Sequence, residues 1–593
     1  MSGQNLSQTT TVQERGYKRE LLWFAPALLA ACSILYVYLR SHQYPSFGAG
    51  LYLLIAERIV ENGYALPKTI PHYTAEGVPF SYPPLMFYTV AVIRDLTGIE
   101  GITIARYLPG LVSIAYLVPL YLFARDFLRS RPQASLATLI VAVSPPLLQW
   151  HISAGGIVRA PAFLFSLSGI YAGLRLYRDK DARWVVPSLA LFTLTILTHP
   201  VYTVFFATSY FLLYLELDRS LWGLTRGMVV GFGGILLASP WWLQIISMHG
   251  PDVFLGAAGT HGGIGGGFFG AVSAIGHVSP DAAFIGSLWQ FLPVVGALYL
   301  LAKRRFFLPV WFFGVAILLG KARFTLLVGA LISAVFLLNV VAARLRDRVG
   351  ASVTRRSAVT ACMVLIAMVG LAGGAMYATS GVDAHAGSPS LPQFMDEDDD
   401  EAMQWVETHT NSEATFVVQG DAAEWFPQQT HRTMLVGPWG VEWKGQEPYN
   451  HHLQLFRDVS ACNSAHCMTN TLSQSNKHPD YIYLPKGEFT VRGMQHRRTS
   501  KLAMSMHLSP KYQLVFENDG VLIFEMMDEQ GERGTQSALS GEKRSSSADN
   551  EQFTAELDRY PNEEEPEVET IPPRAANADK PVPEPASPEM NVS

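Results

Sequence analysis

SFGAGLYLLIAERIVENGYALPKTIPHYTAEGVPFSYPPL, residues 46–85, is too polar to cross a bilayer yet lies between apolar segments. It reads as a stretch lying on the membrane surface, with the rest of the chain as its scaffold. Leu51, Leu54, Ile55 and Ile59 fall at helical spacing with Glu57, Arg58 and Glu61 opposite, the pattern of an interfacial helix whose charges face solvent. Gly63 ends that helix. Pro67, Pro71, Pro79, Pro83 and Pro84 make the continuation an irregular, aromatic-bearing loop rather than a span.

The surrounding chain supports a membrane class. Of its 593 residues 49% are hydrophobic and only 16% charged, an apolar excess that a soluble chain of this length does not show. The net charge of −6 averages basic residues in short loops against acidic residues after Asp396, and nothing points to a nucleic-acid partner. Arg15, Lys18 and Arg19 precede the first apolar run, and LAAC at residues 29–32 imitates a lipoprotein cleavage box. The run stays apolar through residues 33–39, as an uncleaved anchor does.

Apolar windows place about eleven spans between residues 21 and 379. Residues 83–97 are short and carry Arg94 and Asp95. Treating them as interfacial puts the basic clusters at Arg125/Arg129/Arg131, Arg175/Arg178/Lys180/Arg183, Lys303/Arg304/Arg305 and Arg344–Arg356 on one side with the N-terminus. By the positive-inside rule that side is cytoplasmic. Residues 1–20 are then a cytoplasmic segment, 21–379 a transmembrane domain with a large first external loop at 40–103, and 391–528 an external domain. In that last part, an acidic helix start at 396–401 and strand-like runs at 414–420, 432–437, 481–484 and 512–526 read as soluble α/β. The acidic Ser/Pro/Glu-rich tail, 530–593, has little to bury and reads as disordered.

The LYLLIAERI helix with its tyrosine, the E-N-G-Y turn and the Y-P-P-L motif resemble the first external loop of polytopic GT-C glycosyltransferases, in particular the branches like dolichyl-phosphate-mannose protein mannosyltransferase and lipid A aminoarabinose transferase. The likeness extends in layout over residues 20–345 and is carried mainly by 50–110. It implies an α-helical polytopic GT-C-like membrane protein that moves a sugar from a polyprenyl-phosphate donor to a protein, glycan or lipid acceptor on the external face of the cell membrane. The chain departs from the family where an acidic residue, often Asp-Glu, precedes the tyrosine: here Phe47, Gly48, Ala49, Gly50 and Leu51 precede Tyr52. A second acidic position, near HISAGGIVR, is also empty.

Such a transfer needs a carboxylate for the acceptor hydroxyl and cations for the leaving phosphate. Arg159, Lys321 and Arg323 sit at outer span ends, where an ionisable side chain is expensive enough to suggest donor-phosphate binding; snorkelling to headgroups is the plainer alternative. Glu57 and Glu76 are the catalytic candidates by position, with a solvated polar face as the alternative for Glu57. Tyr52 and Tyr82 of the loop, and His151 and His199 capping adjacent spans, complete the candidate substrate region. No spacing among histidines matches a metal-ligand motif, so no metal site is assigned, although a divalent cation is an open cofactor; Gly265, Gly267 and Gly270 lack the preceding strand of a nucleotide site. Cys462 and Cys467, in an external compartment, suit a disulfide more than zinc. Trp425, Trp439 and Trp443 suit either core packing or stacking on sugars.

Two other classes compete with the transferase. The empty acidic positions suit a catalytically silent GT-C-like scaffold or binding subunit. A transporter is disfavoured by the lopsided first loop and the absence of an evident internal repeat.

Overall fold

The computed structural model describes residues 3–258, 283–349, 354–379, 391–492 and 495–527, with isolated residues between 259 and 282. Gly265, Gly270 and the acidic tail lie outside the described residues.

Helices occupy each segment read as a span. Among the described helices six are long and apolar enough to cross a membrane: Lys18–Ser41, Gly101–Leu128, Gly156–Asp179, Pro200–Leu217, Ala322–Leu345 and Ser357–Tyr377. A seventh forms if Leu221–Leu237 and Ser239–His249, bent by 50°, count as one. The chain is an integral membrane protein. Shorter apolar helices such as Phe307–Leu319 fill the bundle, whose core includes Tyr38, Phe123, Phe163, Phe205, Trp311 and Phe324. At one end of this bundle cations and carboxylates are matched. Arg131 meets Glu20 at 2.6 Å, Arg125 meets Glu20 and Asp126, and Arg175 meets Asp126 and Asp179.

Beyond the opposite end lies a second core, built jointly by the loop after the first span and by the C-terminal region. The loop supplies the helix Gly50–Glu61, the short antiparallel pair β1 (Thr69–Ile70) and β2 (Val78–Pro79), and the helix Leu85–Thr97. The C-terminal region supplies a five-stranded sheet of order β4-β3-β5-β9-β8, with strands β3 (Thr415–Val418), β4 (Thr433–Met434), β5 (Tyr481–Pro485), β8 (Tyr512–Glu517) and β9 (Val521–Met526). β4, β3 and β5 are parallel, β9 and β8 antiparallel, and Asn518-Asp519-Gly520 makes the expected hairpin turn. A separate hairpin of β6 (Glu488–Val491) and β7 (Gln495–Arg498) was not legible in the sequence.

The helix Gly50–Glu61 departs from the interfacial reading. Leu53, Leu54, Ile55 and Ile59 are at most 1% exposed, packed in the same core as Phe416, Trp425 and Tyr483 and the span tops at Ile104, Ile157 and Val158. Of the residues expected to meet solvent, Glu61 stays exposed and Arg58 partly exposed, but Glu57 is buried by the C-terminal region. Glu57 is accordingly not on a solvated face. It is 6% exposed, and its carboxylate takes Arg94 at 2.6 Å, the Gln428 amide at 2.9 Å and His431 at 3.4 Å. Burial alone would raise its proton affinity, but the hydrogen bonds and the Arg94 charge hold it below the ordinary carboxylate value. Glu57 therefore clamps the loop to the C-terminal region. Glu57→Ala strands three partners and is expected to cost about 1–3 kcal/mol, read as a lower thermal midpoint in lipid, with Glu57→Gln losing less.

Candidate active site at the helix ends

Three helices begin at one place. Gly156–Asp179 carries Arg159 in its first turn, Ala322–Phe336 has Lys321 as its N-cap residue and Arg323 in its first turn, and Pro200–Leu217 is capped by His199, whose Nδ1 accepts from the Val201 N–H at 3.3 Å. Helix N-termini bear partial positive charge, and here each also carries a basic or polar side chain. The Arg159 and Arg323 guanidinium groups lie 5.0 and 5.7 Å from the same Trp150 ring, and Arg323 also lies 5.4 Å from Tyr202. Arg159, Lys321 and Arg323 all act electrostatically on His199.

Aromatic side chains from the loop close over these cations. The Tyr82 ring lies 5.6 Å from Tyr52, 5.8 Å from His199 and 6.1 Å from Trp443. His151 is fully buried, with Nε2 2.7 Å from the Tyr202 hydroxyl and Nδ1 3.3 Å from that of Tyr116, which makes it a brace behind the site. Tyr52, Tyr82, Arg159, Lys321, Arg323, His151 and His199 are thus gathered by the fold. Glu57 and Glu76 are not: Glu57 is spent in the clamp, and Glu76, with an 89% exposed side chain, lies 3.6 Å from Lys444.

Among the described residues neither Arg159 nor Arg323 is in an ion pair with a carboxylate, in contrast to the matched cations at the far end of the bundle. Arg323 is only 7% exposed, and its Nε has no hydrogen-bond partner. Holding a buried guanidinium without an ion-pair partner is costly, a cost that a bound anion would offset.

Two carboxylates that sequence reasoning missed lie beside this centre. Glu424 follows the C-terminal end of β3, and Glu442 is in the turn Val441–Lys444. Burial pushes both up to about 7, against the pull of Arg492, whose guanidinium lies 5.6 Å from the Trp439 ring. Both act electrostatically on Tyr52, and Arg159 acts on Glu424. A signal existed: a loop leaving the carboxyl end of a parallel strand is where open α/β sheets place ligands, and ATFVVQG is followed at once by Asp421 and Glu424. Because the folded value of Glu442 exceeds its unfolded value of 4.5, its contribution to stability is complete below that value and is lost as the pH rises toward 7. Thermal midpoints in lipid are expected to fall across this window, and Glu442→Gln to remove about 1–3 kcal/mol of the fall.

The tryptophans are buried, Trp425 fully, and pack within the joint core. Cys462 and Cys467 form a disulfide with Cα atoms 5.5 Å apart. Among the described residues no group of three or more His, Cys, Asp or Glu gathers as a metal site would.

No protein-family model matches the chain, and no curated protein matches its sequence significantly. Solved structures do. ArnT from Cupriavidus metallidurans bound to undecaprenyl phosphate aligns over 86% of this chain and 98% of its own, at a TM-score of 0.50 and 14% identity. The chain has a GT-C-type fold. AglB, the archaeal oligosaccharyltransferase of Archaeoglobus fulgidus solved with an inhibitory peptide and a dolichol-phosphate, aligns over 78% of this chain and 69% of its own, with the same TM-score and identity. The arabinofuranosyltransferase AftD from Mycobacteria gives 0.52 and 14% over 86% of this chain and 40% of its own.

Proposed function

We propose that the protein is a membrane glycosyltransferase that takes a sugar from a polyprenyl-phosphate donor and passes it to a protein, glycan or lipid acceptor on the external face of the cell membrane. The observation that carries this reading is the convergence of Arg159, Lys321 and Arg323 on two helix starts, beside a third capped by His199, with neither arginine in an ion pair with a carboxylate among the described residues, under a loop that brings Tyr52 and Tyr82 over them. A lipid-linked phosphate supplies an anion for these cations, and its chain lies along the spans below. The GT-C-type fold supports the reading, as do the lipid phosphates named with ArnT and AglB. The loop and the C-terminal region then face outward and the N-terminus lies in the cytoplasm.

The test is transfer of radiolabelled sugar from a panel of polyprenyl-phosphate donors by the purified protein in lipid, with and without added divalent cation. Label moving to an acceptor establishes the reading. No transfer from any donor, together with no stabilisation by polyprenyl phosphate, refutes it.

A further inference from the structure

Gly48 and Gly50 lie where an acidic residue is absent from the sequence, and the structure shows what fills the space. A Cβ placed on Gly48 would fall 2.1 Å from the Glu424 side-chain Cδ and 2.4 Å from its Oε2. The Glu424 carboxylate therefore already occupies the volume that a side chain at position 48 would need. Around it the first loop and the C-terminal region are tied together at three points. The Tyr73 hydroxyl donates to the Glu424 carbonyl at 2.8 Å, the Trp425 indole donates to the Phe47 carbonyl at 3.2 Å, and the Phe47 N–H donates to the Pro392 carbonyl at 3.1 Å. Asp421 in the same turn accepts from the Thr490 hydroxyl and the Arg492 N–H, tying the turn to β6.

We propose that Glu424 is the carboxylate that takes the proton from the acceptor hydroxyl, supplied by the C-terminal region in place of an acidic side chain at Gly48. This rests on the transfer reading given above. As the acceptor oxygen bonds to the anomeric carbon, the bond from that carbon to the donor phosphate oxygen breaks and its electron pair leaves with the phosphate. Arg159 and Arg323 receive the negative charge. The acceptor proton moves to Glu424 and is later lost to water, so donor and acceptor become free polyprenyl phosphate and glycosylated acceptor. The location suits a proton acceptor, since Glu424 is partly buried with Arg159 and Tyr52 within its electrostatic reach. The high proton affinity that burial gives Glu424 matches a group that must hold a proton near neutrality. Gly48 then has a reason, since a side chain there would displace the carboxylate, and so does Gly50, whose Cβ would meet the backbone of the turn that carries it.

The experiment compares wild type, Glu424→Gln, Glu424→Ala and the double variant Gly48→Asp/Glu424→Ala in the full-length protein in lipid. Sugar transfer is measured beside stabilisation by added polyprenyl phosphate. Glu424→Gln is expected to lower transfer by ~10²–10⁴-fold while stabilisation by the lipid is retained. The double variant, whose new carboxylate enters the space vacated by Glu424, is expected to regain at least ~10-fold over Glu424→Ala. Transfer by Glu424→Gln within a few-fold of wild type overturns the proposal, and so does a loss that comes with lost lipid binding. Absence of recovery in the double variant overturns the equivalence of the two positions. A wild type that transfers nothing refutes the function itself, independently of Glu424.

Discussion

Arg323→Ala is expected to reduce sugar transfer by ~10²–10³-fold, because in the proposed reaction the guanidinium would face charge that grows only as the donor phosphate leaves. Its surroundings make the effect large. Arg323 is 7% exposed, with the Trp150, Tyr202 and Phe324 rings 5.7, 5.4 and 5.0 Å from its guanidinium carbon, so little water is present to take over its role. It also sits in the first turn of the helix Ala322–Phe336, where the backbone adds positive potential to the same point. Lysine keeps the charge but not the planar fork that reaches two phosphate oxygens, so Arg323→Lys should fall between alanine and wild type. Arg131→Ala, which removes a pair with Glu20 at the far end of the bundle, is the control and should leave transfer within about twofold. Initial rates at saturating donor decide the matter. An Arg323→Ala rate within a few-fold of wild type, in protein that remains folded, would remove the cation cluster from the chemistry.

The cations were legible because the physics is local. A charge at the edge of an apolar segment stands out in one dimension, and Arg159, Lys321 and Arg323 needed only the topology to be brought together. The spans and the strands of the sheet were legible for the same reason, through hydrophobic runs and the Asn518-Asp519-Gly520 turn. The carboxylates were not, because their meaning is set by contacts across the chain. Glu57 reads as solvated from helical periodicity alone, since periodicity reports one covered face and cannot show that Gln428 and His431 cover the other. Glu424 lies more than 370 residues from Gly48 in the sequence, and only the docking of the C-terminal turn on Phe47 and Gly50 gives it a place beside Arg159. The glycines that looked like a missing motif are the imprint of that docking.

That imprint makes Gly50→Ala the second large effect. Gly50 opens the helix Gly50–Glu61, a place where alanine should help by helix propensity alone, so the two influences have opposite signs. The new Cβ would lie 2.3 Å from the Glu424 carbonyl oxygen, 2.8 Å from the Tyr73 hydroxyl and 3.0 Å from the Trp425 Cα. Two of these are backbone atoms, which cannot rotate aside as a flexible side-chain end can. The clash must move either the start of the helix or the turn that carries Glu424, and the hydrogen bonds from Tyr73 and Trp425 resist both. The expected cost is about 1–3 kcal/mol, typical of overpacking, against less than 1 kcal/mol of propensity gain. Displacing the carboxylate by about 1 Å should also lower transfer by ~10²-fold. Gly314→Ala, within the helix Phe307–Leu319 and with no atom within 4 Å of its new Cβ, should be neutral or slightly stabilising. Thermal midpoints and transfer rates of the two variants in lipid separate the cases. If Gly50→Ala behaves like Gly314→Ala, the C-terminal turn does not rest on the loop as the structure has it, and the carboxylate must be sought elsewhere.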